Sequence, residues 1–246
     1  WETYRIVTKH VFPEACCIAD HYHIIQELNR RVDRVRIRVQ NRFRKTINTL
    51  KPKKNNKTIT PEELIELEEA SRYYYVLKKF NWLLASTNKK ILDVNVERRF
   101  NHRLNRYLNY SEILAYMLAI DDELEEAFYL RNDVTYFYDH CTYDTAKKQL
   151  EKIIIDFRSS TVAEMSPFAN TLTNWKKEII NSFIIVDDKA NRKMNTAIVE
   201  NRNKSIKLLK HASNGYLNWE RFRNRILYTL NEDTTFYYTS IRKDGK

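Results

Sequence analysis

The sequence predicts a mostly helical protein with one short buried strand near its start. Over long stretches, apolar residues recur every three or four positions, which is the spacing of amphipathic helices. Residues 15–19 (A-C-C-I-A) are instead a continuous apolar run that ends at Asp20, and this pattern is typical of a buried strand. The chain has only two glycines, Gly215 and Gly245, so it cannot build glycine-rich phosphate loops.

Composition favours a globular protein with a polyanionic partner. Of the 246 residues, 43% are hydrophobic, which is enough for a packed core. The 43 Lys and Arg residues exceed the 32 Asp and Glu residues, so the net charge is +11. A positive balance of this size favours nucleic acid over a membrane surface. The alternative is a basic protein without such a partner.

The cysteines indicate a reducing, cytoplasmic setting. There are three, Cys16, Cys17 and Cys141, an odd number with an adjacent pair. His21 and His23 lie close to Cys17, but the chain has no second Cys/His pair with finger-like spacing, so a zinc site is disfavoured. No apolar run approaches the roughly 18 residues of a membrane span.

A long basic helix is predicted from residue 23 to residue 50. Its apolar stripe is Ile25, Leu28, Val32, Val35, Val39, Phe43 and Leu50. Beside it runs a stripe of arginines spaced three, four and four apart: Arg31, Arg34, Arg38 and Arg42. Residues 23–54 contain eleven Lys or Arg and two acids, so an external anion is a natural partner and we predict a DNA contact here. Alternatively, the acidic segment that follows neutralises the helix.

Further helices are predicted up to residue 183. Residues 51–59 form a basic linker, and the sequence T-P-E-E at 60–63 is a helix start with a threonine cap. Helices are expected around 100–108, from 111, and over 121–138, 145–157 and 162–183. The aromatic residues in this part are predicted to be core rather than base-stacking residues: Tyr110, Tyr116, Phe128, Tyr129, Tyr136, Phe137 and Tyr138.

Residues 196–227 predict two helices separated by Asn214-Gly215, since Gly commonly follows a helix end. On the first helix, four polar residues recur at steps of three, four and three and therefore share a face: Glu200, Asn203, Lys207 and Lys210. The opposite face carries Ile198, Ile206, Leu209 and Ala212. The polar face suits a metal bound near a phosphate backbone; the alternative is a solvated face with an ordinary Glu200–Lys204 pair.

Two aspartate positions are ambiguous from local pattern alone. Asp20 follows the predicted strand, where an aspartate can be a helix cap or a metal ligand. Asp187 and Asp188 are adjacent carboxylates in a polar stretch, and we interpret them as loop residues.

Two separated blocks resemble one family. The first is Y-R-I-V-T-K-H-V-F-P-E-A-C-C-I-A-D-H-Y-H-I-I-Q-E-L-N-R-R-V-D-R-V-R at residues 4–36. The second is E-x-x-N-x-x-I-K at 200–207, followed by N-G-Y-L-N-W-E-R-F-R-N-R-I-L at 214–227. Both resemble the catalytic domain of bacterial insertion-sequence transposases of the ISL-three family, and they occur in the expected order.

The resemblance implies an α/β ribonuclease-H-like lobe, incomplete at its N-terminus, with a large all-helical insertion. The lobe would comprise residues 1–50 and 185–233, the insertion residues 51–184, and a tail residues 234–246. The resemblance also implies that Asp20 is the second aspartate and Glu200 the glutamate of an Asp-Asp-Glu triad that holds two Mg²⁺ or Mn²⁺ ions. His23 would support this site.

In this interpretation the DNA contacts are Arg31, Arg34, Arg38, Arg42, Asn203, Lys207 and Lys210. The first aspartate of the triad is expected upstream of Trp1, so the chain is expected to be catalytically incomplete alone. Asn201 stands where the family commonly has glycine.

The implied function is strand cleavage and transfer at the ends of an insertion sequence. The expected partners are double-stranded DNA and a second copy of the chain on that DNA, in a bacterial, nucleoid-associated setting without a membrane. The alternative is a noncatalytic helical DNA-binding or assembly module, such as a decayed transposase remnant.

Overall fold

The computed structural model describes residues 2–187, 192–194 and 197–230, and this part of the chain is mostly helical. Its α-helices are α1 (Glu2–Val11), α2 (His21–Asn55), α3 (Pro61–Lys79), α4 (Tyr110–Leu118), α5 (Asp122–His140), α6 (Tyr143–Ser159), α7 (Phe168–Asn174), α8 (Lys176–Asn181), α9 (Ala197–Ala212) and α10 (Trp219–Leu230). A 3-10 helix covers Asn81–Ala85. The mostly helical class is confirmed.

The strands form two short antiparallel hairpins. Strand β1 (Arg99–Asn101) pairs with β2 (Arg106–Leu108), and β3 (Ile185–Asp187) pairs with β4 (Arg192–Lys193). Each sheet in the described ranges therefore has two strands. The ribonuclease-H-like lobe expected from the resemblance stays a prediction.

The chain divides into two compact units. The first covers Trp1–Met194 and the second Asn195–Lys246. Helices α1 to α8 and both hairpins belong to the first unit, whereas α9 and α10 belong to the second and contact each other. The predicted boundaries between a split catalytic lobe and an insertion stay predictions.

Helix α2 is the centre of the first unit. It packs against α3 and α5 along its 35 residues. Its buried apolar residues recur at helical spacing: Ile24, Leu28, Val32, Val35, Val39 and Leu50. Ile25 and Phe43 are partly buried against the same core. The predicted stripe is thus confirmed, although the helix begins two residues earlier and ends five residues later than predicted.

A buried arginine connects three elements of this core. Arg131 on α5 is 2% exposed, and it donates to Asn29 Oδ1 on α2 and to the Ala85 carbonyl oxygen of the 3-10 helix, both at 2.9 Å. Because no carboxylate contributes, burial lowers the pKa of this guanidinium. Its neutral acceptors are nevertheless within normal hydrogen-bond distance, so it ties α5 to α2.

Local helix signals are confirmed where side-chain caps decide them. The Thr60 hydroxyl accepts from the Glu63 amide, and the Glu63 carboxylate accepts from the Thr60 amide. These two bonds form the predicted capping box of α3. Helix α9 ends at Ala212, and Asn214 and Gly215 follow with φ of 50° and 94°. A positive φ favours Gly and Asn, which explains the break between α9 and α10.

The strand predicted at residues 15–19 is wrong. This segment has no regular secondary structure and is not paired with a strand in the described ranges. Two of its backbone groups bond to α8 instead: the Ala19 amide donates to the Glu178 carbonyl, and Asn181 Nδ2 donates to the Cys17 carbonyl, both at 2.9 Å. Ala19 alone of the five residues is buried.

The helix predicted around residues 100–108 is also wrong, because these residues form the β1–β2 hairpin. The Asn101 side chain accepts from the amides of Arg103 and Leu104, which is a local alternative to helical bonding. Asn105 then has a φ of 52°, a conformation that Asn tolerates better than most residues. Similarly, residues 163–167 form turns, and α7 begins only at Phe168.

The aromatic residues are divided between core and surface. Phe128 and Phe137 are buried as predicted, whereas Tyr110 is 39%, Tyr129 54% and Tyr136 60% exposed. The core interpretation is therefore wrong for these three tyrosines. The predicted tail, from residue 234 onward, lies outside the described residues.

Candidate functional site

Asp20 lies at the N-terminus of α2 and caps it. Its Oδ1 accepts from the Tyr22 amide at 2.8 Å, and its carbonyl oxygen accepts from the Ile24 amide. The side chain is 9% exposed. A carboxylate at this position is favoured because the first amides of a helix have no intrahelical acceptor and the helix dipole is positive there.

The segment before Asp20 is held by a buried polar contact with α8. Glu178 on α8 is buried, and its Oε1 lies 3.6 Å from Arg5 Nη1. Arg5 also donates to the Asn174 carbonyl at 3.0 Å and lies over the Trp175 ring. Together with the bonds from Ala19 and Asn181, these contacts fix where α2 starts, and hence where the Asp20 carboxylate lies.

Tyr138 on α5 is a neighbour of Asp20 that the sequence pattern did not indicate. Its hydroxyl is buried and has no hydrogen-bond partner among the described residues. Burial raises the pKa of this phenol, and the negative charge of Asp20 raises it further. Its ring stacks on Phe183 and lies 5.7 Å from the His21 ring. Only the packing of α5 against α2 brings these residues together.

His23, expected to support the site, lies in the first turn of α2. It is exposed, and its ring makes an edge contact with Tyr22 at 5.6 Å between centroids. The supporting role of His23 stays a prediction.

The second half of the predicted site is on α9. Glu200, Asn203, Lys207 and Lys210 are all exposed there, and Ser205, Ile206 and Leu209 are half-buried. The predicted division into a polar face and an apolar face is thus confirmed for these residues. Ala212 is exposed, contrary to its predicted position on the apolar face, and the Ile198 side chain lies outside the described residues.

Asp20 and Glu200 belong to different units of the chain. Within the described residues, no group of three or more His, Cys, Asp or Glu side chains forms a metal-binding cluster. The predicted convergence of the two carboxylates stays a prediction. Asp188 of the adjacent aspartate pair lies outside the described residues.

Most arginines of the α2 stripe bind acidic side chains or backbone carbonyls of the same chain. Arg38 donates to both carboxylate oxygens of Glu164, at 2.9 and 3.0 Å, and pairs with Glu123. Arg31 donates to the Glu164 carbonyl at 2.6 Å.

Farther along the stripe, Arg42 donates to Asp121 Oδ2 at 2.6 Å, and Lys53 pairs with Glu63. Among the described residues, acids from the start of α5 and from the turn before α7 supply three ion pairs to α2, its own Glu27 and Asp33 supply three, and the acidic segment directly after α2 supplies one. Arg34 is exposed and has no hydrogen-bond or ion-pair partner within the described part of the chain.

The Arg38–Glu164 contact has the geometry of a strong ion pair, because a guanidinium binds two carboxylate oxygens in parallel. The hydrogen bond to Glu164 raises the pKa of Arg38, and the same bond holds the pKa of Glu164 below its usual range. Glu164 has an 18% exposed side chain, so water screens the pair only partly. It connects α2 to the turn before α7.

Comparison with known proteins identifies the family. The model of the ISL-three transposase family, described as "Transposase", matches residues 1–226. The chain therefore belongs to this transposase family. No curated protein and no solved structure gives a match. In the described ranges, no helix has both the length and the apolar character needed to cross a membrane.

Substitutions at Asp20 should separate capping from any other role. Asp20→Ala should lower the free energy of unfolding by about 1 kcal/mol because the Tyr22 amide loses its acceptor. Asp20→Asn should leave stability nearly unchanged, since Asn is an equally good cap. Urea unfolding of the two variants measures the difference. Equal stability of both variants would show that the cap contributes nothing.

The Arg38–Glu164 pair should make stability depend on acidity. The pKa of Glu164 is lowered in the folded state, so its contribution is present above the unfolded pKa of about 4.3 and disappears as the pH falls through the folded value. Arg38→Gln should lower the free energy of unfolding by about 1 kcal/mol at neutral pH, and by less at acidic pH. Urea unfolding at several pH values tests this.

The matched control is Arg158→Gln, because Arg158 donates to the Thr173 hydroxyl and not to a carboxylate. A loss in Arg38→Gln that is the same at neutral and acidic pH would contradict the ion-pair explanation.

Proposed function

We propose that this protein is a DNA transposase that cuts and joins strands at the ends of an insertion sequence with the aid of divalent metal ions. The observation that carries the proposal is the family match over residues 1–226, because that range contains both Asp20 and Glu200. The net charge of +11 is the balance that a DNA partner favours.

In this proposal Asp20 and Glu200 are ligands of Mg²⁺ or Mn²⁺. Carboxylate oxygens are the donors that these hard cations prefer. An ionised carboxylate has about four acceptor sites, so acceptance from the Tyr22 amide is compatible with metal binding by the same Asp20 side chain. Two such ions, when bound, supply stabilisation of the attacking and leaving oxygens during strand cleavage.

In this proposal the residues around Asp20 hold its carboxylate in place. The N-terminus of α2 favours the ionised carboxylate, and the contacts of the preceding segment with α8 restrict its position. A ligand held on the end of a long, packed helix loses little conformational freedom when a metal binds. We propose that His23, three residues farther along, supports the same site.

Phosphate contacts are proposed for exposed cations and an amide on α9 and for the arginine stripe of α2. Asn203, Lys207 and Lys210 share the exposed face of α9 with Glu200. Arg34 is the member of the α2 stripe from which we expect the largest contribution, because it is exposed and, unlike the other three, makes no hydrogen bond or ion pair within the described residues.

Arg31, Arg38 and Arg42 remain candidate contacts, since a guanidinium has five N–H donors and can bind a phosphate while it is paired. Their internal partners reduce the charge that they offer to DNA. Two copies of the chain would bring the two ends of the element together, and this dimer is part of the proposal.

Activity of the full-length protein on DNA carrying its own element's ends tests the metal ligands. Asp20→Asn and Glu200→Gln should each abolish cleavage in Mg²⁺ or Mn²⁺ and leave DNA affinity unchanged, since both preserve shape and Asn preserves the cap. The controls Asp122→Asn and Glu220→Gln, which change exposed acids elsewhere in the first turn of a helix, should cleave normally.

Full activity in either ligand variant would assign the chemistry to other residues. If the unaltered full-length protein binds the ends but never cleaves them, the noncatalytic DNA-binding module is the correct alternative.

Salt dependence of duplex binding tests the phosphate contacts. Each phosphate neutralised contributes about 0.9 to the slope of log affinity against log salt. Arg34→Gln and Lys207→Gln should each reduce the slope by about that amount and weaken all sequences alike. Lys148→Gln, a change of an exposed lysine on α6, is the control. An unchanged slope in both variants would exclude these residues as DNA contacts.

A further inference from the structure

The first unit contains a cavity that no part of the proposed metal site uses. It has a volume of about 700 Å³ and lies beneath the β1–β2 hairpin, between that hairpin, the C-terminal end of α3 and the start of α4. We name it the hairpin cavity. Its size is within the roughly 300–1,000 Å³ of small-molecule sites.

The walls of the hairpin cavity are aromatic. Tyr75 and Phe80 come from α3 and its end, Phe100 from β1 and Tyr110 from α4. Phe100 is 40% and Tyr110 39% exposed, so the rings are accessible from solvent. Aromatic faces that line an accessible cavity are the platforms on which nucleobases stack in proteins that bind single strands.

The cavity is also positively charged. Lys79, Arg99 and Arg103 line it, and Glu97 is the one acid among its lining residues. Lys79 Nζ lies 5.4 Å from the centre of the Tyr75 ring, and the Arg103 guanidinium carbon lies 5.8 Å from it. None of the three cations has an ion-pair partner within the described residues. Their positive charge is therefore available to an external anion.

A basic track leads to this cavity along α2 and α3. Two clefts of about 510 and 580 Å³ adjoin it, and Arg103 lines all three spaces. The cations of these clefts are largely unpaired in the described residues, unlike those of the arginine stripe: Arg44, Lys51, Lys54, Lys78 and Lys79. A row of this kind can follow a phosphate backbone.

The cavity is held open by local bonds. Buried Leu104 anchors the hairpin turn in the core, and Asn101 fixes that turn through two backbone amides. Asn109 caps α4 and donates to the carbonyls of Val94 and Val96, at 3.0 and 3.2 Å. The walls thus have their arrangement without a ligand, which reduces the entropy lost when one binds.

We propose that the hairpin cavity binds an unpaired nucleobase of the DNA substrate, and that Lys79 and Arg103 neutralise the adjoining phosphate. The inference rests on the proposed transposase function, which supplies DNA as the polyanion. A base in a duplex is stacked and cannot enter, so the occupant is a base in a single-stranded extension.

Binding of the full-length protein to two labelled DNAs tests the proposal: a blunt duplex, and the same duplex with a short single-stranded extension. The extended DNA should bind more tightly. Phe100→Leu removes the ring but keeps an apolar side chain, and it should weaken only the extended DNA, by roughly 5- to 150-fold. Lys79→Gln should weaken binding of both DNAs, and binding of the extended DNA more than that of the blunt duplex.

The matched controls lie outside the cavity on the same unit. Tyr129→Leu changes an exposed tyrosine of α5, and Lys148→Gln an exposed lysine of α6. Both should bind the two DNAs like the unaltered protein. Equal affinity of the unaltered protein for both DNAs, or unchanged binding by Phe100→Leu, would overturn the proposal.

A photocrosslink in the unaltered protein makes the test independent of variant folding. 5-Iododeoxyuridine at each position of the extension in turn should crosslink to residues 75–80 or 99–110, identified by mass spectrometry. Crosslinks to other segments alone would assign the base to another surface. Failure of the two proposals is distinguishable. If the protein cleaves element ends without preferring the extension, only the cavity proposal is rejected. If it binds no DNA, both proposals are rejected.

Discussion

The first unit depends on burial of one face of α2. Leu28, Val35 and Ile24 have no exposed surface, and a helix of 35 residues presents this face to α3 and α5 together. Each fully buried side chain of this kind contributes about 1.5–3 kcal/mol relative to exposure. Because α2 is held on this face, its rotation about its own axis is set. That rotation determines which elements its polar side chains meet.

The same rotation divides the cations of α2 into two groups. Near the middle of the helix, Arg31, Arg38 and Arg42 meet acids or carbonyl groups of other elements. Toward its end, Arg44, Lys51 and Lys54 border clefts and have no ion pair within the described residues. The first group stabilises the fold, whereas the second is available to an external polyanion. The positive charge of a helix therefore does not by itself locate a DNA surface.

Asp20 combines two properties that reinforce each other. The helix N-terminus stabilises the ionised carboxylate through the Tyr22 amide, and ionised carboxylate oxygens are the donors that a hard cation prefers. A cap and a ligand are thus compatible at one residue, which explains why local pattern alone left both open. The buried hydroxyl of Tyr138 beside it belongs to a different helix and is visible only in the folded chain.

The sequence by itself determined the helical class, the apolar stripe of α2, the capping box at Thr60 and the break at Gly215, because each depends on residues within a few positions of one another. The resemblance of its two blocks indicated the transposase family, which the match over residues 1–226 confirmed. Tertiary structure alone decided that residues 15–19 bond to α8 instead of joining a sheet, that Asn101 turns a hairpin above an aromatic cavity, and that Glu164 neutralises Arg38. These outcomes depend on partners that are distant in sequence, or on a competition between local bonding patterns that packing resolves.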